Sequence, residues 1–146
     1  MVLMVDHLVG RIVAALDRNG FTENTLLIVT SDNGARLVNY DGKDHGHKSN
    51  GDLRGGKGDI YDGGHREPLV AMWPKVIRPG SVSDELLSLA DIFATCAEIV
   101  DYSLPEQAGE DSFSFLRILE GESPKEPIRD AVIHHALDGM FAVRMG

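Results

Sequence analysis

The sequence predicts an α/β fold, and two features near its start carry that prediction. An amphipathic helix is expected over residues 2–18, where apolar residues recur at helical spacing, namely Leu8, Val9, Ile12, Val13 and Leu16. Two apolar runs, 25–30 and 69–73, are rich in strand formers and do not alternate with polar residues. Such runs are typical of strands buried on both faces of a parallel sheet. Part of a mostly parallel sheet flanked by helices is therefore predicted.

The second half of the chain predicts shorter elements. A short strand is expected at 85–89, followed by a helix at about 90–100 with its apolar residues on one face. Another short helix is expected at 113–119 because Gly121 stops it. Residues 131–135 and 140–145, with Asp-Gly between them, predict a β-hairpin. We expect residues 1–121 to form the main portion and residues 122–146 to begin a smaller subdomain.

Composition restricts the possible partners. The chain has 146 residues, enough for one domain, and 14 basic against 23 acidic side chains give a net charge of -9. Unspecific binding to nucleic acid or to an anionic membrane is therefore not expected. The single cysteine, Cys96, excludes an internal disulfide and predicts a small buried hydrophobe.

A long polar segment separates the two apolar runs. Residues 31–64 contain nine glycines and are too irregular for a plain connection in a compact domain. Asp32 and Asn33 begin this segment directly after the first predicted strand. Their side-chain oxygens suit a hard cation such as calcium or magnesium, although Asp-Asn-Gly is also a common turn sequence. Two ligands alone cannot hold calcium, which takes about six to eight oxygens.

Basic side chains in the same segment are candidates for binding an anion. Lys57 lies among glycines, where backbone can approach an anion and an ammonium can neutralise it, but a solvated turn is the alternative. Arg54 and Arg66 are weaker candidates, and a structural ion pair is the favoured role of Arg66. His45 and His47 could bind metal or substrate, yet a solvated loop or a substrate-facing rim suits their spacing better.

The order of these motifs closely resembles the sulfatase family of the alkaline phosphatase superfamily. The resemblance rests on Ser-Asp-Asn-Gly at 31–34, Arg-Gly-Gly-Lys-Gly at 54–58 and Gly-Gly-His-Arg-Glu-Pro at 63–68. It implies an alkaline-phosphatase-like sheet, a calcium or magnesium site that includes Asp32 and Asn33, and a sulfate-binding role for Lys57. Asp91 and Thr95 resemble a further family motif, with alanine in place of the usual proline before the threonine.

The resemblance also implies parts that these residues do not contain. A sulfatase uses a formylglycine made from Cys or Ser before x-Pro-x-Arg, and that motif is absent here. We therefore expect a carboxyl-side portion of a catalytic domain, inactive alone, that lacks its N-terminal half and self-associates or swaps elements. The expected substrate is a sulfate ester of a carbohydrate or an aryl alcohol. The family functions in the periplasm, outside the cell or in the lysosome.

Two other functions fit the residues. The first is a phosphodiesterase or phosphonate hydrolase of the same superfamily, distinguished by its nucleophile. The second is a non-catalytic α/β module that grips an anion through Lys57, Arg54 and Arg66. Which sulfate ester would be cleaved does not follow from the sequence, because specificity resides in variable loops.

Overall fold

A computed structural model describes residues 2–36 and 46–145 of the chain. Four α-helices, one short 3-10 helix (Thr22–Asn24) and four strands lie in these ranges. The α-helices and strands are α1 (Val2–Arg18), β1 (Leu27–Thr30), α2 (Asp62–His65), β2 (Leu69–Met72), α3 (Asp91–Ile99), α4 (Leu116–Leu119), β3 (Ala131–His135) and β4 (Phe141–Met145). The α/β class is confirmed. The first helix has the predicted bounds, and both apolar runs contain a strand.

The pairing of β1 and β2 corrects the expectation for these two strands. They pair antiparallel with each other, from Leu27 opposite Met72 to Thr30 opposite Leu69. Because antiparallel strands need no crossover helix between them, the long polar segment can join β1 to β2 directly. Their faces are also more open than predicted, since the side chain of Val70 is 64% exposed.

Apolar faces are open over much of the chain. No residue of α1 is buried, and its apolar stripe, including Leu8 and Ile12, faces solvent. The chain exposes 11175 Å², whereas a compact monomer of 15.9 kDa exposes about 7,400 Å². These surfaces are therefore suited to covering by further polypeptide.

The helix α3 buries a different face from the one that the sequence predicts. Its buried residues are Asp91, Thr95 and Ala97, while the predicted core side chains Phe93 and Cys96 are exposed. The expectation that Cys96 is buried was wrong. Polar groups face inward because the main chain after the helix needs partners. Thr95 Oγ1 accepts a hydrogen bond from the Phe115 amide at 3.1 Å.

A buried ion pair, here called the clasp, joins α3 to the chain before β3. The Arg129 guanidinium binds both carboxylate oxygens of Asp91, and Arg129 Nη2 also donates to the Asp111 carbonyl at 2.8 Å. Asp91 accepts further hydrogen bonds from the amides of Ser88 and Phe113. With the two side chains 0% and 6% exposed, the clasp fixes irregular backbone from inside.

Two other predicted elements differ. The helix expected at 113–119 is α4 alone, because the amides of Phe113 and Phe115 are engaged by Asp91 and Thr95 instead of by a helical turn. The strand expected at 85–89 does not form, and residues 81–88 are irregular. Within the described ranges, β1 pairs with β2 and β3 with β4, so residues 85–89 have no partner strand.

The predicted β-hairpin is confirmed. β3 and β4 pair antiparallel, from Ala131 opposite Met145 to His135 opposite Phe141. Its turn contains Asp138, whose Oδ1 accepts a hydrogen bond from the Met140 amide at 3.1 Å. The hairpin contacts residues 58–65 through Gly58, Ile60, Asp62 and His65.

Candidate functional site

The first part of the site is the acidic turn, residues 31–34, which directly follows β1. Ser31 Oγ donates to the Asn33 carbonyl at 2.9 Å, and Asn33 Nδ2 donates to the Gly34 carbonyl at 3.1 Å. The side chain of Asp32 is exposed. The turn therefore keeps its own shape while it presents a carboxylate to solvent.

Close backbone approach ties the acidic turn to α2. The Gly34 amide donates to the Gly64 carbonyl at 3.0 Å. A methyl group on Gly34 would overlap the Gly63 carbonyl oxygen, and one on Gly63 would overlap the Gly55 carbonyl oxygen. Only glycine fits at these two crossings, which explains why the motif combines Asp-Asn-Gly with Gly-Gly.

The second part is the lysine loop, residues 54–61. The Lys57 amide donates to the Ala35 carbonyl at 3.0 Å, which places this loop beside the acidic turn. Asn50 adds a second tie, because its Oδ1 accepts from the Ala35 amide at 3.1 Å and its Nδ2 donates to the Gly55 carbonyl at 2.8 Å. Asp59 closes the loop by accepting from the Gly56 amide at 2.8 Å.

The side chain of Lys57 lies at an open cleft. The cleft has a volume of about 310 Å³ and separates the lysine loop from the hairpin turn; its walls include Tyr61, Leu137 and Met140. The ammonium group is exposed and accessible to a ligand. The lining also includes the carboxylates of Asp59 and Asp138, so Lys57 is the side chain of this cleft that can receive an anionic group.

Two predicted arginines make contacts inside the site. Arg54 lies 3.5 Å from the centre of the Tyr61 ring, and its Nη2 donates to the Tyr61 hydroxyl at 2.6 Å. Arg66 pairs with Asp62 at 3.7 Å, so the carboxylate partner expected of a structural arginine is present. Both guanidinium groups remain exposed at the surface of the site.

Glu67 adds a second carboxylate near the acidic turn. Burial raises the pKa of Glu67, and the neighbouring charge of Asp32 raises it further. The two carboxylates are thus electrostatically coupled, although they lie 35 residues apart in the sequence. Glu67 lies in the motif at 63–68, but the sequence does not predict that it lies near Asp32, because only the fold brings the two residues together.

The donor set fits part of a site for a hard cation. Asp32 and Asn33 offer side-chain oxygens from one turn, which is the ligand chemistry of calcium and magnesium. Across residues 2–36 and 46–145, no group of three or more His, Cys, Asp or Glu side chains could hold a metal ion. The described residues therefore offer oxygen ligands of the right chemistry but form no complete cation site.

The two predicted histidines, His45 and His47, have different outcomes. His45 lies outside the described residues, and His47 is exposed in the loop. Sequence reasoning instead missed His65, which contacts the His134 ring of β3 with 4.3 Å between ring centres. It also missed Asn50, because no local pattern marks an amide that bridges two loops.

Fold and site together describe an α/β protein in which an acidic turn with side-chain oxygens lies beside an exposed lysine. The family model described as Sulfatase matches residues 1–102. The chain is 35% identical to N-acetylgalactosamine-6-O-sulfatase of Bacteroides thetaiotaomicron over 100% of its own length and 29% of that protein. It is 37% identical to human steryl-sulfatase over 96% of its own length and 24% of that protein. The chain belongs to the sulfatase family.

Solved structures agree. A Bacteroides thetaiotaomicron protein of glycosaminoglycan metabolism matches with a TM-score of 0.84 and 35% identity. The match covers 99% of this chain and 31% of the chain of that protein. A Pseudoalteromonas sulfatase matches with a TM-score of 0.80 and 32% identity, covering 97% and 28%. The likeness confirms the alkaline-phosphatase-like fold class.

The match covers a limited part of each relative. The chain spans 22% to 29% of the length of the curated sulfatases named steryl-sulfatase and N-acetylgalactosamine-6-O-sulfatase. In the described ranges, no helix is both long and apolar enough to cross a membrane.

Proposed function

We propose that this chain forms the carboxyl-side part of a sulfatase catalytic site and takes part in hydrolysis of a sulfuric ester. The observation that carries the proposal is the hydrogen bond from the Lys57 amide to the Ala35 carbonyl, which places the lysine loop beside the acidic turn. A sulfate ester is an anion, and the chain has a net charge of -9. Binding must therefore rely on local positive charge at this place.

In this proposal each part of the site has one task. Lys57 neutralises charge on a sulfuryl oxygen, and its effect grows in the transition state as charge moves onto the sulfate group. Asp32 and Asn33 hold part of a calcium or magnesium site. The metal, when bound, polarises the sulfate and stabilises the nucleophile. The acidic turn and the lysine loop are held against each other by Asn50, Gly34 and Gly63.

The remaining groups are proposed to come from further polypeptide. A formylglycine nucleophile and additional acidic ligands belong to the part of the catalytic domain that corresponds to the rest of the relatives' length. The exposed apolar faces of α1 and α3 offer a surface for that part to cover. We assign residues 1–121 to the catalytic domain and 122–146 to the start of a smaller subdomain.

Substrate and location follow the same family reasoning. One relative is named for a sulfated amino sugar and another for a sulfated sterol. We propose a sulfate ester of a carbohydrate or an aryl alcohol for the protein to which this chain contributes. We propose the periplasm, the extracellular space or the lysosome as its location.

A chimera tests the proposal. This chain would replace the matching region of the Bacteroides N-acetylgalactosamine-6-O-sulfatase, and hydrolysis of an aryl sulfate would be measured beside a phosphodiester and a phosphonate. We expect the chimera to hydrolyse the sulfate ester and the isolated chain to show no turnover. Preference for the phosphorus ester would assign the site to a phosphodiesterase or phosphonate hydrolase. A folded but inactive chimera would contradict the proposed function.

A further inference from the structure

The β3–β4 hairpin holds the lysine loop at two places and the start of α2 at a third. The Leu137 amide donates to the Gly58 carbonyl at 3.0 Å, next to Lys57. Arg144 Nη1 donates to Asp62 Oδ1 at 2.9 Å, and the His134 ring nitrogen Nε2 lies 3.2 Å from the Ile60 carbonyl. The loop that carries the ammonium group is thus fixed on one side by the acidic turn and on the other by the hairpin.

A pair of imidazole rings lies in this contact. His65 ends α2, and its ring meets that of His134 with 4.3 Å between centres and 42° between planes. His65 Nε2 is buried and finds no hydrogen-bond partner within the described ranges. A proton added there would find no acceptor within the described ranges, and it would introduce charge next to a second imidazole.

The groups around His65 decide its charge. Burial lowers the pKa of His65, and the neighbouring His134 and, more weakly, His135 lower it further. The backbone carbonyl of Asp59 and the carboxylate of Asp62 act in the opposite direction. Arg144 and Arg66 both pair with Asp62 and offset its negative charge. The neutral form of His65 is therefore favoured while the hairpin is in place.

We propose that the hairpin is a pH-sensitive clamp on the lysine loop, closed while His65 is neutral and opened when His65 gains a proton. His65 is then a positioning residue, since it touches the hairpin and acts on Lys57 through the loop. Opening breaks the bond from Leu137 to Gly58 and frees the backbone beside Lys57. Any effect on sulfate binding rests on the proposed function, but the clamp itself does not.

Amide hydrogen exchange of the whole chain, followed by NMR, tests the clamp. After correction for the intrinsic rate, protection of the Leu137 amide should fall about tenfold or more from about pH 7.5 to about pH 5. Amides of the β1–β2 ladder should keep their protection, which separates clamp opening from acid unfolding. Equal protection of the Leu137 amide at both pH values would overturn the proposal.

Variants identify the titrating group. His65→Phe keeps an aromatic ring and cannot take a proton, at the cost of the ring's hydrogen bond to the Asp59 carbonyl. Protection of the Leu137 amide should therefore become independent of pH. His7→Gln, on the exposed helix α1, should leave the wild-type response unchanged. A response that survives in His65→Phe would contradict the assignment.

Two further measurements keep the test decisive. If His65→Phe does not fold, the ring protons of His65 in the wild-type chain should titrate with the same midpoint as the amides of residues 56–60. Separate midpoints would overturn the clamp. Lys57→Met should leave the clamp response intact while it lowers sulfate hydrolysis in the chimera, so failure of the clamp and failure of the proposed function are distinguishable.

Discussion

Two regions of the chain hold irregular backbone in place by opposite means. The candidate site relies on absent side chains, because Gly34 and Gly63 let main-chain segments cross in contact. The clasp relies on charged side chains, because Asp91 and Arg129 are buried and bind surrounding amides and carbonyls. The site keeps Asp32 and Lys57 exposed at the surface, whereas the clasp pairs its charges inside the fold.

The difference shows how the chain separates binding from support. An exposed ammonium such as that of Lys57 can meet a ligand because glycine contacts shape the loop beneath it. A buried guanidinium such as that of Arg129 is fully engaged and serves only the fold. Mutations should therefore affect the two regions in different ways, through shape in the site and through uncompensated charge in the clasp.

The largest effect is expected when the clasp loses one partner. Arg129→Met leaves the Asp91 carboxylate buried without its counter-ion, which should lower the free energy of unfolding by about 3–5 kcal/mol. Urea denaturation measures this change. Arg117→Met, at an exposed position of α4, is the matched control and should change stability by less than about 0.5 kcal/mol. Equal effects of the two substitutions would mean that the clasp does not support the fold.

A smaller but local effect is expected when the glycine crossing is filled. Gly34→Ala should cost about 1–3 kcal/mol, because the methyl group must push the Gly63 carbonyl away and strain the bond from Gly34 to Gly64. Gly10→Ala is the control, since nothing lies within 4 Å of Gly10 in helix α1. That change should stabilise the helix by about 1 kcal/mol. If Gly34→Ala lowers neither the free energy of unfolding nor the amide protection of the lysine loop, the close contact between Gly34 and Gly63 is contradicted.

The smallest effect is expected from a charge at the edge of the site. The pKa of Glu67 is raised above its ordinary value of 4.5 in the folded chain, so the folded state binds this proton more tightly than the unfolded state. The contribution of Glu67 to stability is therefore present below about pH 4.5 and is lost as pH rises through the raised pKa. Glu67→Gln should raise stability at neutral pH by well under about 1 kcal/mol, and the gain should vanish in acid.

Denaturation of both proteins across this pH range checks the prediction. Glu126→Gln, at an exposed position away from Asp32 in sequence, is the control and should show no such pH-dependent gain. A gain that grows in acid would have the wrong sign and would contradict the proximity of Glu67 to Asp32.

Open apolar surface gives a separate expectation. Because α1 buries no residue and the chain exposes 11175 Å², the isolated chain should associate with itself at high concentration. Sedimentation measures this directly. A chain that stays monomeric at the highest accessible concentration would argue against faces that need covering.

Local patterns in the sequence predicted α1, the two apolar strands and the hairpin, because spacing and turn residues determine these elements. Patterns did not predict the orientation of α3, since its apolar face suggested a core while Asp91 and Thr95 meet distant amides. For the site, the motif order predicted that Asp32, Asn33 and Lys57 belong together. Glu67 and His65 could not be placed, because their partners lie far along the chain and only folding brings them close.

The most direct test of the sulfatase assignment is the kcat/KM for an aryl sulfate of the chimera that carries Lys57→Ala. If Lys57 stabilises the sulfuryl oxygens in the transition state, kcat/KM should fall about a hundredfold or more, with the loss mainly in kcat. Lys75→Ala, an exposed lysine after β2, should leave kcat/KM unchanged. A folded Lys57→Ala chimera with undiminished activity would show that the lysine loop is not the sulfate site.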